Sequence, residues 1–183
     1  MSWIETYTGK KFYPLNPRPE DVDIIDIAHS LSMQCRFNGH TRFFYSVAEH
    51  SAMVSKELAA TGYNKLIQLY GLLHDAAEAY VCDLPRPIKR QIKEYEPIEV
   101  RVQGVIWEGF NLPAPAETDR KILQYMDDRI LGYEGVRLMR NTEGWTAKLP
   151  YYRPKSVIAI GTPQYTIEKE FLALFNQLKI SKE

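Results

Sequence analysis

LLHDAAEAYVCDLPRP, residues 72–87, opens as an apolar helix and turns acidic within a few positions. His74 and Asp75 follow directly on Leu72 and Leu73, and Glu78 and Asp83 precede the break at Pro85 and Pro87. Helical spacing sets His74 one turn from Tyr70 and Glu78, beside a face whose leucines favour burial. An unpaired buried carboxylate is so costly that it neutralises rather than persists. The cluster therefore implies either a hydrogen-bonded core histidine or a cation held among these groups. The pattern predicts a helix from about Asn64 through Leu66, Leu69, Leu73 and Ala77 to about Val81, stopped by Asp83-Leu84-Pro85-Arg86-Pro87.

On the N-terminal side, Ser46-Val47-Ala48-Glu49 is a capping box that starts a helix with Val47, His50, Val54 and Leu58 on one face. An earlier helix is expected from Asp23, its N-cap, through Ile24, Ile27, Ala28 and Leu31 to near Arg36, where Asn38-Gly39 signals a turn. The first 20 or so residues, rich in Tyr, Phe, Pro and Gly, read as an extended arm with a short hairpin about Thr8-Gly9. On the C-terminal side, helices are expected over Pro97–Phe110 and Ala116–Arg140. The second carries Leu123, Asp127, Ile130, Leu131, Glu134 and Leu138 along one stripe. Asn141–Gly161 lacks a clear period and reads as an excursion over the surface. The last helix is expected to begin at Thr162-Pro163, with proline at its first helical position, and to bury Ile167, Phe171, Leu174 and Leu178.

The fold class is thus all-α with an N-terminal extended arm, and 183 residues without repeat or linker read as one domain over 1–183. Lys+Arg and Asp+Glu both number 23, which gives no bulk attraction to a nucleic acid polymer or an anionic membrane. The two cysteines, Cys35 and Cys82, form no CxxC pair, which argues against a disulfide framework or a cysteine zinc site and fits a reducing cytoplasm. The N-terminus has no signal-peptide core, and no apolar run reaches the roughly 20 residues that span a bilayer.

Three of these helices each place a metal-competent group on an apolar face: His50, then His74 with Asp75, then Asp127. A divalent cation can hold two imidazoles and two carboxylates together where a core alone would not tolerate them. Asp128 is the rival for the last position, but Asp127 shares the stripe of Leu123, Ile130 and Glu134 while Asp128 points elsewhere.

The order H…HD…D, with SVAEHS around His50, LLHDAAEAYVCDLPRPIKR from Leu72 to Arg90 and MDDRILGYEG around Asp127, resembles the HD-domain metal-dependent phosphohydrolases. Within them it is similar to the nucleotidase branch that includes bacterial 5′-deoxynucleotidases and phage dATP triphosphohydrolases. The resemblance covers most of the chain. It implies an HD-domain helical bundle in which His50, His74, Asp75 and Asp127 ligate one divalent transition metal (zinc, cobalt or manganese), with magnesium accompanying a triphosphate substrate. Through HDxxE it implies that Glu78 helps activate water, with Asp83 nearby. Arg36 and Lys89 match positions that contact substrate, Phe37 stands where the bacterial deoxynucleotidases have tryptophan, and Arg42 is a further substrate candidate. His29 and His40 are expected to be structural.

The activity so implied is hydrolysis of a deoxynucleotide, with dATP to deoxyadenosine and tripolyphosphate favoured by the TYTGKKFYPL arm and the CRFNGHTRFFYSVAEHS block. The rivals are a 5′-deoxynucleotidase acting on dNMPs and an idle HD module that senses nucleotide. A hydrolase of (p)ppGpp is disfavoured, because its HDxxED would need aspartate where Ala79 stands. The resemblance further implies a homo-oligomer, dimer or hexamer, in the cytoplasm of a bacterium or a phage-infected host.

Overall fold

The computed structural model describes residues 2–144 and 146–179; Met1, Trp145 and residues 180–183 of the expected 1–183 unit lie outside them. The described chain is mostly helical, with one two-stranded ribbon. β1 (Ile4–Glu5) and β2 (Lys11–Phe12) pair antiparallel with Ile4 opposite Phe12. The turn between them uses Gly9 at φ 82°, a left-handed value open to a residue without Cβ. The ribbon is not loose. Thr8 donates its backbone N–H and its hydroxyl to the two oxygens of buried Asp26 at 2.7 and 3.0 Å, and Phe12, fully buried, stacks on Tyr80 with ring centroids 3.8 Å apart.

α1 (Ile24–Met33) is capped by Asp23, whose carboxylate accepts from Ile25 N at 2.9 Å. It stops at Met33, short of the expected Arg36, because the next residues pair with another segment instead of extending the helix. Val47 N donates to Gln34 O, Arg36 N donates to Tyr45 O, and Cys35 bridges Ser46. A 3₁₀ turn over Arg36–Gly39 follows, with Phe37 and Asn38 at φ 55° and 53°. α2 (Val47–Ala60) begins on the expected capping box, and Val47, His50, Val54 and Leu58 are all fully buried. α3 (Lys65–Leu73), capped by Asn64, packs closely along α2. A Cβ on Gly71 would run into Leu58 Cδ1, so glycine there lets the two helices approach and brings His74 up to His50.

The helix expected to run on to Val81 is interrupted at His74. The His74 ring Nδ1 bonds Gly71 O at 2.8 Å, competing for the carbonyl that the next α-helical turn would use. The backbone tightens to three-residue spacing, with Ala76 N on Leu73 O, Glu78 N on Asp75 O and Ala79 N on Ala76 O. α4 (Glu78–Val81) then adds one turn, closed by Cys82 at φ 77° and ψ 149°. The proline break follows as expected, with the single turn α5 (Arg86–Lys89) inside it. α6 (Tyr95–Gly109) and α7 (Glu117–Leu138) lie within two residues of their expected limits. α8 (Gln164–Leu178) starts one residue late, so Pro163 is its N-cap rather than its first helical residue, and the Thr162 hydroxyl turns back to Ala159 O at 3.2 Å.

The Asn141–Gly161 excursion is better anchored than a surface loop. Ile158 is buried, and the fully buried Glu57 of α2 accepts from Tyr152 Oη, Lys155 N and Ser156 N at 2.5, 3.0 and 2.7 Å. Among the described residues no helix is long and apolar enough to cross a membrane.

Candidate metal centre

α2 presents His50, the tightened end of α3 presents His74 and Asp75, and α7 presents Asp127. His50 Nε2 lies 3.2 Å from His74 Nε2, 3.6 Å from Asp75 Oδ2 and 3.2 Å from Asp127 Oδ1, and His74 Nε2 lies 3.1 Å from Asp75 Oδ2. His50, His74 and Asp75 form a group that could hold a metal ion, each offering an atom within 4.8 Å of the others. Asp127 joins it from the His50 side. Donors about 2.0–2.2 Å from an ion stand about 3.0–3.6 Å from their neighbours, which is the spacing found here.

The hydrogen bonds decide what this group needs. His50 Nδ1 faces Glu134 Oε1 at 2.7 Å and His74 Nδ1 faces Gly71 O at 2.8 Å. Both partners only accept, so each Nδ1 carries a proton, and each ring in its neutral form leaves a bare lone pair on Nε2. Two such lone pairs at 3.2 Å, with two carboxylates beside them, repel unless a proton or a metal cation stands between. The chemistry of the donor set therefore fits a divalent ion with imidazole and carboxylate ligands.

The surroundings are arranged for positive charge. Burial and the Arg36 guanidinium oppose protonation of His50, but Glu134 and Asp127 outweigh them and lift its pKa to about 9. Burial also opposes the charges of Asp75 and Asp127, yet the neighbouring imidazoles hold Asp75 far below the usual carboxylate range and Asp127 at about 2. Glu134 is fully buried and also accepts from Tyr45 Oη at 2.9 Å, with Arg36 Nη2 3.3 Å from its other oxygen. Arg36 Nη1 lies 3.6 Å from Asp75. A carboxylate that fixes the tautomer of a metal-ligating histidine is a recurrent second layer of such sites. The sequence put Glu134 on the α7 stripe without assigning it a role; the available signal was an acidic residue on the buried face two turns beyond Asp127.

Glu78 is buried at 6% exposure and its Oε2 has no hydrogen-bond partner among the described residues. Burial first, then the charges of Asp75 and Asp83, raise its pKa well above the ordinary value. Asp83, half-buried, is raised mainly by burial. Lys89 Nζ is paired with Glu99 of α6 at 2.6 Å and lies over the Tyr95 ring; burial opposes its charge, but Glu99, Glu78 and Asp75 raise its pKa. Phe37 stands in its left-handed turn with the Arg36 guanidinium 5.6 Å from its ring centroid.

Arg42 is placed elsewhere. It is exposed, and its backbone N–H and Nη2 bond Leu138 O and Met139 O, each at 2.8 Å. Helix C-termini leave carbonyls that take such donors, and this end of α7 is about 16 Å along the axis from Asp127. Asp128 is more exposed than Asp127 and accepts from Gln124 at 3.1 Å. Arg86, assigned no role from its place in the chain, reaches Asp127 Oδ2 at 3.0 Å and orients that carboxylate. His29 bonds Glu168 at 3.0 Å and stacks on Tyr7, and His40 is exposed at the end of the 3₁₀ turn.

No family model matches the chain. It is similar to the uncharacterized protein YfdR of Escherichia coli strain K12, with 40% identity over 121 residues that make up 66% of this chain and 65% of that protein. It is likewise similar to an uncharacterized protein of Rhodobacter capsulatus, with 38% identity over 128 residues, 66% of this chain and 65% of that protein. The chain thus spans about 65% of the length of these curated relatives.

Proposed function

We propose that this chain is a divalent-metal-dependent phosphohydrolase of the HD type that acts on deoxynucleotides, cleaving dATP to deoxyadenosine and tripolyphosphate. The observation that carries the reading is the pair of Nε2 atoms of His50 and His74 facing each other at 3.2 Å beside Asp75 and Asp127, each ring held by an acceptor at its Nδ1. These four residues would hold the ion. When bound, it supplies Lewis-acid polarisation of a phosphate oxygen and acidifies a water.

The chain's own groups do the rest. Glu78, whose buried Oε2 lacks a hydrogen-bond partner among the described residues, orients the attacking water and accepts its proton, with Asp83 beside it. The water oxygen bonds to the α-phosphorus, the bond from that phosphorus to the 5′-oxygen breaks, and the 5′-oxygen leaves with a proton as deoxyadenosine. Arg36 and Lys89 place positive charge toward the polyphosphate, and charge-assisted contacts to phosphate are among the stronger hydrogen bonds available. Phe37 forms a wall at the sugar. The working form is a cytoplasmic homo-oligomer; exposed Tyr151, Val157 and Tyr165 offer apolar surface for subunit contacts.

Chromatography of products from dATP, dGTP and dAMP with added Mn²⁺ or Co²⁺ tests the reading. The expected result is tripolyphosphate from dATP, carrying ¹⁸O from labelled water, with little dADP or dAMP. Orthophosphate from dAMP with dATP untouched would install a 5′-deoxynucleotidase instead, and no turnover of any nucleotide would leave a binding module. Glu78→Gln is expected to lower turnover about a hundredfold with metal content retained.

A further inference from the structure

The side chain of Gln34, at the end of α1, commits both its N–H donors and its acceptor oxygen to one short segment and its support. A carboxamide has two N–H donors and an acceptor oxygen. Here Nε2 donates to Glu78 O at 3.0 Å and to Ser30 Oγ at 3.1 Å, while Oε1 accepts from Asp83 N at 3.1 Å. Ser30 Oγ in turn donates to Ala79 O at 2.9 Å. Both ends of the Glu78–Asp83 segment are therefore tied to one amide, with a second strut between them.

That segment needs tying. α4 is a single turn, too short to hold itself, and it ends at Cys82 with a positive φ that a residue with a Cβ seldom adopts. Its acidic groups, Glu78 and Asp83, stand near each other and near Asp75, and like charges push them apart. The backbone of Gln34 accepts from Val47 N at 3.0 Å, so the same residue is fastened to the start of the helix that carries His50. Glutamate at this position would lose the donors to Glu78 O and Ser30, and lysine would lose the acceptor for Asp83 N.

We propose that Gln34 is a positioning residue whose carboxamide clamps both ends of the Glu78–Asp83 segment, holding the Glu78 and Asp83 carboxyl groups in place against the His50–His74–Asp75 cluster. The proposal rests on the reading of Glu78 as the group that handles the attacking water.

The test compares wild type with Gln34→Met, which keeps length and loses every side-chain bond, Gln34→Glu, which keeps the acceptor for Asp83 N, and Ser30→Ala, which removes the strut to Ala79 O and one of the two acceptors of Gln34 Nε2. Gln34→Met is expected to lower kcat for dATP about ten- to a hundredfold, the scale of a small misplacement. KM should stay within about twofold and bound metal at the wild-type level, because substrate and metal contacts are untouched. The Asp83 amide should exchange with deuterium about tenfold faster. Gln34→Glu should recover part of the Asp83 protection, and Ser30→Ala should show a smaller loss of kcat of the same kind. Unchanged kcat, a fall in kcat matched by loss of metal, or unchanged Asp83 exchange would each overturn the clamp. If wild type turns over no nucleotide, the hydrolase reading falls, while the Asp83 exchange rates still decide whether Gln34 holds the segment.

Discussion

Two glutamates, Glu57 of α2 and Glu134 of α7, are both fully buried and both hydrogen-bonded by a tyrosine hydroxyl. Their other partners differ in kind. Glu57 closes on neutral donors of one loop, Lys155 N and Ser156 N together with Tyr152 Oη. Glu134 faces an imidazole and a guanidinium, and among the described residues its Oε2 has no hydrogen bond, only the Arg36 charge at 3.3 Å. A carboxylate satisfied by neutral N–H groups is a staple for the backbone. One that faces ionisable groups sets their charge and tautomer, so its effect extends to whatever those groups bind.

The contrast breaks most completely if the cluster served by Glu134 is dismantled. His74→Ala or Asp75→Ala is expected to strip the metal and abolish hydrolysis, read as metal content by mass spectrometry; full metal in either variant would show that the replaced residue is not needed to hold the ion. Next, Glu134→Ala leaves buried Arg36 without the nearer of its two carboxylates and should cost about 3–5 kcal/mol, with metal affinity weakened about ten- to a hundredfold. Glu57→Ala should cost about 1–3 kcal/mol and leave metal affinity unchanged. Equal effects of the two on metal binding would erase the difference between the two glutamates.

The pH dependence sharpens it. Burial raises the Glu57 pKa, but its bonds from Tyr152, Ser156 and Lys155 outweigh burial and hold it below the ordinary value. A depressed carboxylate stabilises the fold fully above its unfolded pKa, about 4.3, and loses that contribution as pH falls through the lower folded value. The stability gap between wild type and Glu57→Gln, followed by urea unfolding, should therefore shrink on acidification below about pH 4. The smallest effects belong to the tyrosines. Tyr152→Phe and Tyr45→Phe should each cost about 1 kcal/mol, and only Tyr45→Phe should alter metal affinity.

What could be read from the chain was what local geometry carries. The Ser46–Glu49 capping box, the burial of His50 with Val47, Val54 and Leu58, the hairpin at Thr8-Gly9 and the break at Pro85 depend on neighbours within a turn or two. The choice of Asp127 over Asp128 followed from the helical period and agrees with their exposure. The fold class and the convergence of His50, His74 and Asp75 were legible for the same reason: apolar faces must meet, and groups on those faces meet with them.

Tertiary structure alone decided the rest. The end of α1 at Met33 depends on pairing with Tyr45 and Val47, and the placement of Arg42 depends on the end of α7 nearly a hundred residues away. The roles of Gln34, Glu134 and Arg86 were not legible because each acts through partners 41 to 84 positions distant; for Glu134 the helical stripe told its burial but not the imidazole it meets. Periodicity reports which face of a helix is buried. It carries no information about which donor on one buried face will find which acceptor on another, and that pairing is what turns a cluster of histidines and carboxylates into a group that could hold a cation.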